Sequence, residues 1–382
     1  MAYNRKQRLN DNIKAIETAF ILDREQRTPT ARERLLLERY CGFGGLKCIL
    51  NPARELADAV HWAKSDLELF APTVELHRLI RENSKNESEY KQLMDSLKQS
   101  VLTAFYTPSA VTEALTDVLK EHQIIPGKVL EPSAGIGAFV DSVLDNNPKA
   151  DIMAFEKDLL TGKILRHLHP EQKVRIEGFE KIEKPFNDYF DLAISNIPFG
   201  DVAVFDPSYT AMKGMRALVT RRIHNYFFVK ALDTVRDGGL VAFITSQGVL
   251  NAKNNSAARF MMLYHADLVS AIRLPNNLFT ENANTEVGSD LIILQKNSQK
   301  ESLRGDDNLL DTVYNDENRI PTNNYFLEHP ERIIHTTAKL DTDPFGKPAM
   351  IYTHEDGVEG IAEDLRKMLH EDFKKNLNLN RY

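Results

Sequence analysis

The chain has 382 residues, a formal net charge of −7, 42% apolar and 27% charged residues, and two cysteines. It contains no apolar run of 18 residues, so no membrane-spanning helix is expected, and the polar, acid-containing start MAYNRKQRLNDNIKAIE lacks the apolar stretch of a secretory signal, which points to the cytoplasm. Cys41 and Cys48 do not have the paired spacing of a zinc site and read as buried thiols; the acidic average excludes a uniformly basic nucleic-acid coat while leaving room for a local positive cleft.

Residues 1–100 are rich in Arg, Lys, Glu and Leu at helical spacing, in RERLLLERY, ELADAVHWAKSDLELF and SEYKQLMDSLKQS, and predict a helical accessory region broken at Gly42–Gly45. From Val129 the pattern changes to short apolar runs alternating with helical stretches: KVLE, DIMAFE, KVRIEG, FDLAIS, LVAFIT, LVSAIRL and DLIILQK. That alternation predicts an α/β domain over 101–300, a sheet with helices on both faces. Between Gly200 and Arg222 the sequence is irregular and basic, a candidate lid. Residues 301–382 form an extension, polar to about Asn324 and ending in the helical pattern VEGIAEDLRKMLHEDFKKNL.

Three stretches carry chemistry. In KVLEPSAGIGAFVDSVL a short strand ending in Glu131 meets a small-residue loop with Gly135 and Gly137, where backbone can approach a ligand and a helix start offers unpaired N–H groups. A dinucleotide fingerprint needs a small residue at position 140, which is Val, so a pyrophosphate ligand is disfavoured. Glu156, at the end of the next strand, stands where an acid accepts hydrogen bonds from ribose hydroxyls in nucleoside-binding α/β folds. A nucleoside without pyrophosphate fits both features. The fourth strand then ends in Ser195-Asn196-Ile197-Pro198-Phe199-Gly200, which is either a plain turn or a carboxamide and an aromatic ring delivered to a ligand at a strand's carboxyl end.

On these residues the chain resembles the N6-adenine DNA methyltransferases that use S-adenosyl-L-methionine. FYTP (Phe105 to Pro108) is similar to their upstream cofactor segment, EPSAGIGAF to their glycine motif and SNIPF to their catalytic motif. RDGGLVAFITSQGVLN and IRLPNNLF with NTEVGSDLIILQK resemble the later strands and closing β-hairpin of type I modification subunits. LERYCGFGGL and NNYFLEHPERII resemble the large methylases of phage antirestriction and mobile-element proteins, which often continue into a helicase. The resemblance implies a Rossmann-like class I methyltransferase sheet with a C-terminal hairpin. It implies cofactor contacts from Tyr106, Thr107, Pro108, Glu131, Ser133, Gly135, Gly137, Glu156, Phe179 and Glu180, and catalysis by Asn196, Ile197, Pro198 and Phe199. DNA is the implied partner, with room for a separate specificity or helicase component.

Two residues depart from the family pattern. Ile197 stands where Pro is common, but the reaction asks only for a backbone carbonyl there, and a residue before Pro198 is already biased to extended geometry. Phe179 stands where an acid is frequent; it is either a ring against the cofactor's adenine or a core aromatic, with Glu180 as the replacement acid. Lys213, Arg216, Arg221 and Arg222 are candidate phosphate contacts for DNA. His167 and His169 are accounted for by a helix end, without a metal. The alternatives are a methyltransferase of the same fold acting on RNA or a protein glutamine, and a catalytically lapsed antirestriction module that binds DNA or a partner.

Overall fold

All seven short apolar runs are strands of one sheet: β1 (Lys128–Glu131), β2 (Asp151–Phe155), β3 (Lys173–Arg175), β4 (Phe190–Asn196), β5 (Val235–Ser246), β6 (Ala266–Leu274) and β7 (Ser289–Lys296). The computed structural model describes residues 4–103, 106–212, 214–280, 286–303, 307–314, 319–343 and 346–382; Phe105 and Lys213 lie outside them. The strand order is β3-β2-β1-β4-β5-β7-β6. The first five strands pair in parallel, and β7 runs antiparallel between β5 and β6, with Leu240 opposite Gln295 and Leu274 opposite Ser289. Strand order reverses between β1 and β4, and a parallel sheet opens a crevice at such a switch point, outside the strands' carboxyl ends.

Twelve helices are named here: α1 (Arg5–Glu25), α2 (Ala31–Leu37), α3 (Phe70–Glu82), α4 (Glu87–Thr103), α5 (Ser109–Glu121), α6 (Ala138–Asn146), α7 (Leu159–Leu168), α8 (Pro207–Thr210), α9 (Met215–Val219), α10 (Ile223–Thr234), α11 (Gly248–Asn251) and α12 (Ser256–His265). Strands such as β4, with Leu192, Ala193 and Ile194 all buried, read as continuous apolar runs because both faces are covered. One face packs on α5, α6 and the final helix Gly357–Asn376 through Leu115, Val140, Leu365 and Phe373; the other packs on α10 and α12 through Phe228, Leu232 and Met262.

The helical region before the sheet is not a separate body. Leu160, Ile164 and Leu168 of α7 join Leu9, Ile16, Leu37, Leu76 and Leu97 in one apolar core, while Leu165 of the same helix faces the sheet. Local signals start these helices where the sequence places them. Asn4 caps α1 by accepting from Gln7 N–H at 3.0 Å, and Thr30 with Glu33 forms a capping box on α2.

Two expectations are corrected. ELADAVHWAKSDLELF is not one α-helix but two 3₁₀ segments, Leu56–His61 and Lys64–Leu69, separated at Trp62. The indole N–H there donates to Pro52 O at 2.8 Å and the ring meets Phe70 edge-on, a tertiary anchor that overrides local periodicity. The extension also contains two hairpins that its polar sequence did not announce: Thr312–Tyr314 with Pro321–Asn323, and Thr337–Thr342 with Pro348–Thr353. In the second, all six residues of the first strand are exposed, so no alternation of apolar residues marks it.

Candidate active site

A cavity of about 970 Å³ lies outside the carboxyl ends of β1, β2 and β4. Ligand pockets commonly measure ~300–1,000 Å³, so this one has room for a large ligand or for two that meet. One wall is built by the loop after β1. Gly135 adopts φ +56°, and a Cβ there would stand 2.8 Å from the Tyr106 ring, so only glycine lets the loop close on that ring. Gly135 N–H donates to Glu156 Oε2 at 2.8 Å, and Asp158 N–H donates to Glu156 Oε1 at 2.7 Å. The Lys157 N–H also bonds this carboxylate, so of its four lone-pair sites one is left for a ligand hydroxyl. Burial pushes the Glu156 carboxyl up to about 8, and the nearby Asp158 charge adds to the rise.

Asp158 is held from the helical region. Ser96 of α4 is 4% exposed; its hydroxyl donates to Asp158 Oδ2 at 2.6 Å and accepts from Leu160 N–H at 3.0 Å. Asp158 Oδ1 in turn caps α7 by accepting from Thr161 N–H at 2.8 Å. Thr107 lines the cavity with a buried hydroxyl that has no partner among the described residues. A buried polar atom of that kind is a place where a ligand supplies the missing hydrogen bond.

Another wall is the tip of β4. Asn196, Ile197, Pro198 and Phe199 all line the cavity, with Asn196, Pro198 and Phe199 half-buried. The Ile197 side chain is packed in the core with Phe179 and Phe227, and its N–H is fixed to Ile244 O at 3.0 Å. Phe199 meets Phe279 edge-on at 6.3 Å.

Of the sequence-derived cofactor residues, Tyr106, Thr107, Ser133, Gly135, Glu156, Phe179 and Glu180 line this cavity. Three do not, and each has a different local task. Glu131 is 1% exposed behind the loop, with Oε1 accepting from Ser133 N–H at 3.3 Å and the Ser195 hydroxyl also on its carboxyl; burial pushes that carboxyl up to about 8. Gly137, at φ +96°, makes room for His169, whose Nε2 would stand 2.5 Å from a Cβ. Pro108 starts α5. Phe179 belongs to an aromatic cluster with Phe155, Tyr226 and Phe227, so the core reading holds even as it borders the cavity.

The basic insert carries the short helices α8 and α9, and two of its candidate phosphate contacts are paired within the fold. Arg216 gives both terminal nitrogens to Asp233 on α10, at 2.6 and 2.9 Å. Arg222 pairs with Asp201 at 2.9 Å and donates to Asn254 and Asn255. Arg221 is exposed, and Lys213 lies outside the described residues. His167 binds Asp23 at 2.8 Å, which ties α7 to α1.

Sequence reasoning missed the contribution of α4, where Gln92, Asp95, Ser96, Gln99 and Ser100 border the cavity. A signal was present. Leu93, Ser96, Leu97 and Ser100 share the i, i+3, i+4, i+7 face and are all buried, so two hydroxyls stand in an apolar stripe and need buried partners. The rim residues Val202–Phe205 and the cation Lys181 were missed as well.

Residues 88–352, more than half of the chain, match the family described as N-6 DNA Methylase. Defense against restriction protein B of Escherichia phage P1 is 29% identical over 201 residues, 51% of this chain and 8% of that protein. Type II methyltransferase M.XamI of Xanthomonas campestris pv. amaranthicola is 25% identical over 173 residues, 42% of this chain and 33% of that protein. The match thus spans a third or less of either relative's length. A solved type I restriction-modification methyltransferase subunit from Streptococcus thermophilus is 16% identical, covers 84% of this chain and 69% of its own, and superposes only loosely at a TM-score of 0.45. The chain belongs to the N-6 DNA methylase family.

Proposed function

We propose that this chain transfers a methyl group from S-adenosyl-L-methionine, the donor used by N6 methylases, to the N6 amino group of adenine in DNA. The observation that carries the reading is that Asn196 at the tip of β4 and Glu156 with Thr107 at the tips of the neighbouring elements line one continuous cavity. The lining suits the donor: Glu156 accepts from a ribose hydroxyl, Thr107 offers a hydroxyl with no partner among the described residues, and the Gly135 loop admits close backbone approach.

The donor supplies an electrophilic sulfonium methyl group. The adenine amine is a weak nucleophile because its lone pair is delocalised into the ring. The Asn196 carboxamide oxygen and the Ile197 carbonyl accept its two N–H groups. This draws the nitrogen toward tetrahedral geometry and stabilises the positive charge that grows on it as the methyl arrives. Phe199 stacks on the base. Such contacts require the adenine to be outside the base stack, so a duplex substrate must have it flipped out. Pairing with a specificity or helicase component is compatible with this reading, as is an antirestriction role like the one in the phage relative's name.

The test is transfer from labelled donor to DNA, RNA and protein in parallel, followed by nucleoside mass spectrometry. N6-methyl-2′-deoxyadenosine in the DNA digest, with no methylated product from RNA or protein, is the expected result. Label in RNA or on glutamine overturns the substrate assignment, and absence of both transfer and donor binding overturns the enzymatic one.

A further inference from the structure

The segment after Phe199 turns at Gly200, φ +147°, and then runs back along the cavity mouth, where Val202, Ala203, Val204 and Phe205 join the lining. Val202 is 61% and Phe205 78% exposed. A large apolar side chain on a loose loop folds onto the nearest apolar surface, but this segment is pinned along its length. Asp201 binds Arg222 at 2.9 Å, Val204 N–H donates to Thr220 O at 2.8 Å, and buried Asp206 accepts from the Tyr226 hydroxyl at 2.7 Å, from Lys230 at 3.2 Å and from Ser208 N–H at 2.8 Å. Arg216 and the Tyr209 hydroxyl, both on Asp233, fix the next stretch to α10. The Phe205 ring is thus held exposed on the lining of the same cavity that Asn196 borders.

We propose that Phe205, with Val202 beside it, is a DNA wedge: its ring stacks on the bases next to the target adenine and fills the space that the adenine leaves on entering the cavity. The inference rests on the methyl-transfer reading above and assigns the wedge that reading lacks. A flat apolar ring suits this occupant because every base offers a π-face, and proteins that distort a duplex insert apolar side chains between base steps.

A wedge matters only where a base pair must be opened, and this separates it from a merely structural phenylalanine. The test compares the full chain with Phe205→Ala, Phe205→Leu and Phe205→Trp on a duplex that the wild type methylates, and on the same duplex with the target adenine left unpaired opposite an abasic site. Donor affinity by calorimetry serves as the folding control. Phe205→Ala is expected to lower kcat/KM on the paired duplex by at least about tenfold, with most of the loss recovered on the unpaired one. Phe205→Leu is expected to fall between, and Phe205→Trp to stay near the wild type on the paired duplex. A loss of equal size on both substrates in Ala and Leu variants, or no loss on either, overturns the wedge while leaving the methyl-transfer reading standing. A wild type that methylates neither duplex overturns that reading and the wedge with it.

Discussion

The two walls of the cavity are built on opposite principles. On the wall that carries Glu156, that residue, Asp158 and Ser96 are joined by hydrogen bonds, side chain to side chain between Ser96 and Asp158 and through backbone N–H groups elsewhere, which tie β2, α7 and α4 into one network. On the wall that carries Asn196, a half-buried strand tip is followed by an insert that exposes Val202 and Phe205. The difference follows from what each wall meets. A small donor can be enclosed by fixed partners, whereas a base carried on a polymer must enter from outside, so its contacts are kept open and rigid.

The comparison breaks most sharply at Asn196. Asn196→Ala is expected to lower methyl transfer at least about 100-fold while donor affinity changes by no more than about twofold, because the lost acceptor acts only as charge develops on the amine. Rate measurements on DNA with donor calorimetry check this, and a wild-type rate removes Asn196 from the reaction. On the other wall, Glu156→Ala is expected to raise the donor dissociation constant roughly 10- to 100-fold, the value of hydrogen bonds to a charged acceptor.

Glu156 also gives the donor wall a pH signature. Its carboxyl ordinarily titrates at 4.5 and is pushed up to about 8 in the free protein. Hydroxyl donors and a cationic sulfonium both favour the ionised form, so binding releases a proton. Donor affinity is therefore expected to rise with pH below about 8, by up to about tenfold per unit, and to level off above it. Calorimetry from pH 6 to 9 reads the slope, which Glu156→Gln is expected to flatten. Ser96→Ala, a change outside the cavity's charged groups, is expected to weaken donor binding about fivefold through loss of one hydrogen bond to Asp158, with Ser96→Thr restoring it.

The smallest effect concerns Glu131. With its carboxyl raised from 4.5 to about 8, the folded state holds a proton that the unfolded chain releases. Stability from this group is full at acid pH, falls as pH rises between those two values, and is flat above them. Thermal unfolding at pH 6 and 9 is expected to show a smaller difference for Glu131→Gln than for the wild type; an equal difference means that Glu131 is ionised at both.

Periodicity makes much of this readable in advance. Each run from KVLE to DLIILQK becomes a strand because a sheet covered on both faces needs continuous apolar segments, and the SNIPFG turn falls at the tip of β4 for the same reason. What escaped was set by tertiary partners. Arg216 and Arg222 look like phosphate contacts until Asp233 and Asp201 arrive from elsewhere in the fold, and Gly137 looks like a ligand glycine until His169 packs against it. Trp62 likewise interrupts a helical pattern through an anchor at Pro52 that no local window contains.

The two-sided helix α7 has a consequence for how such proteins can be taken apart. Its Leu160, Ile164 and Leu168 pack into the core of the preceding helices, while its first turn is fastened by the Ser96–Asp158 contact beside Glu156. A fragment that begins at the sheet bares a greasy stripe and loosens the surroundings of Glu156 in one cut. Those helices must therefore travel with the sheet through any recombination.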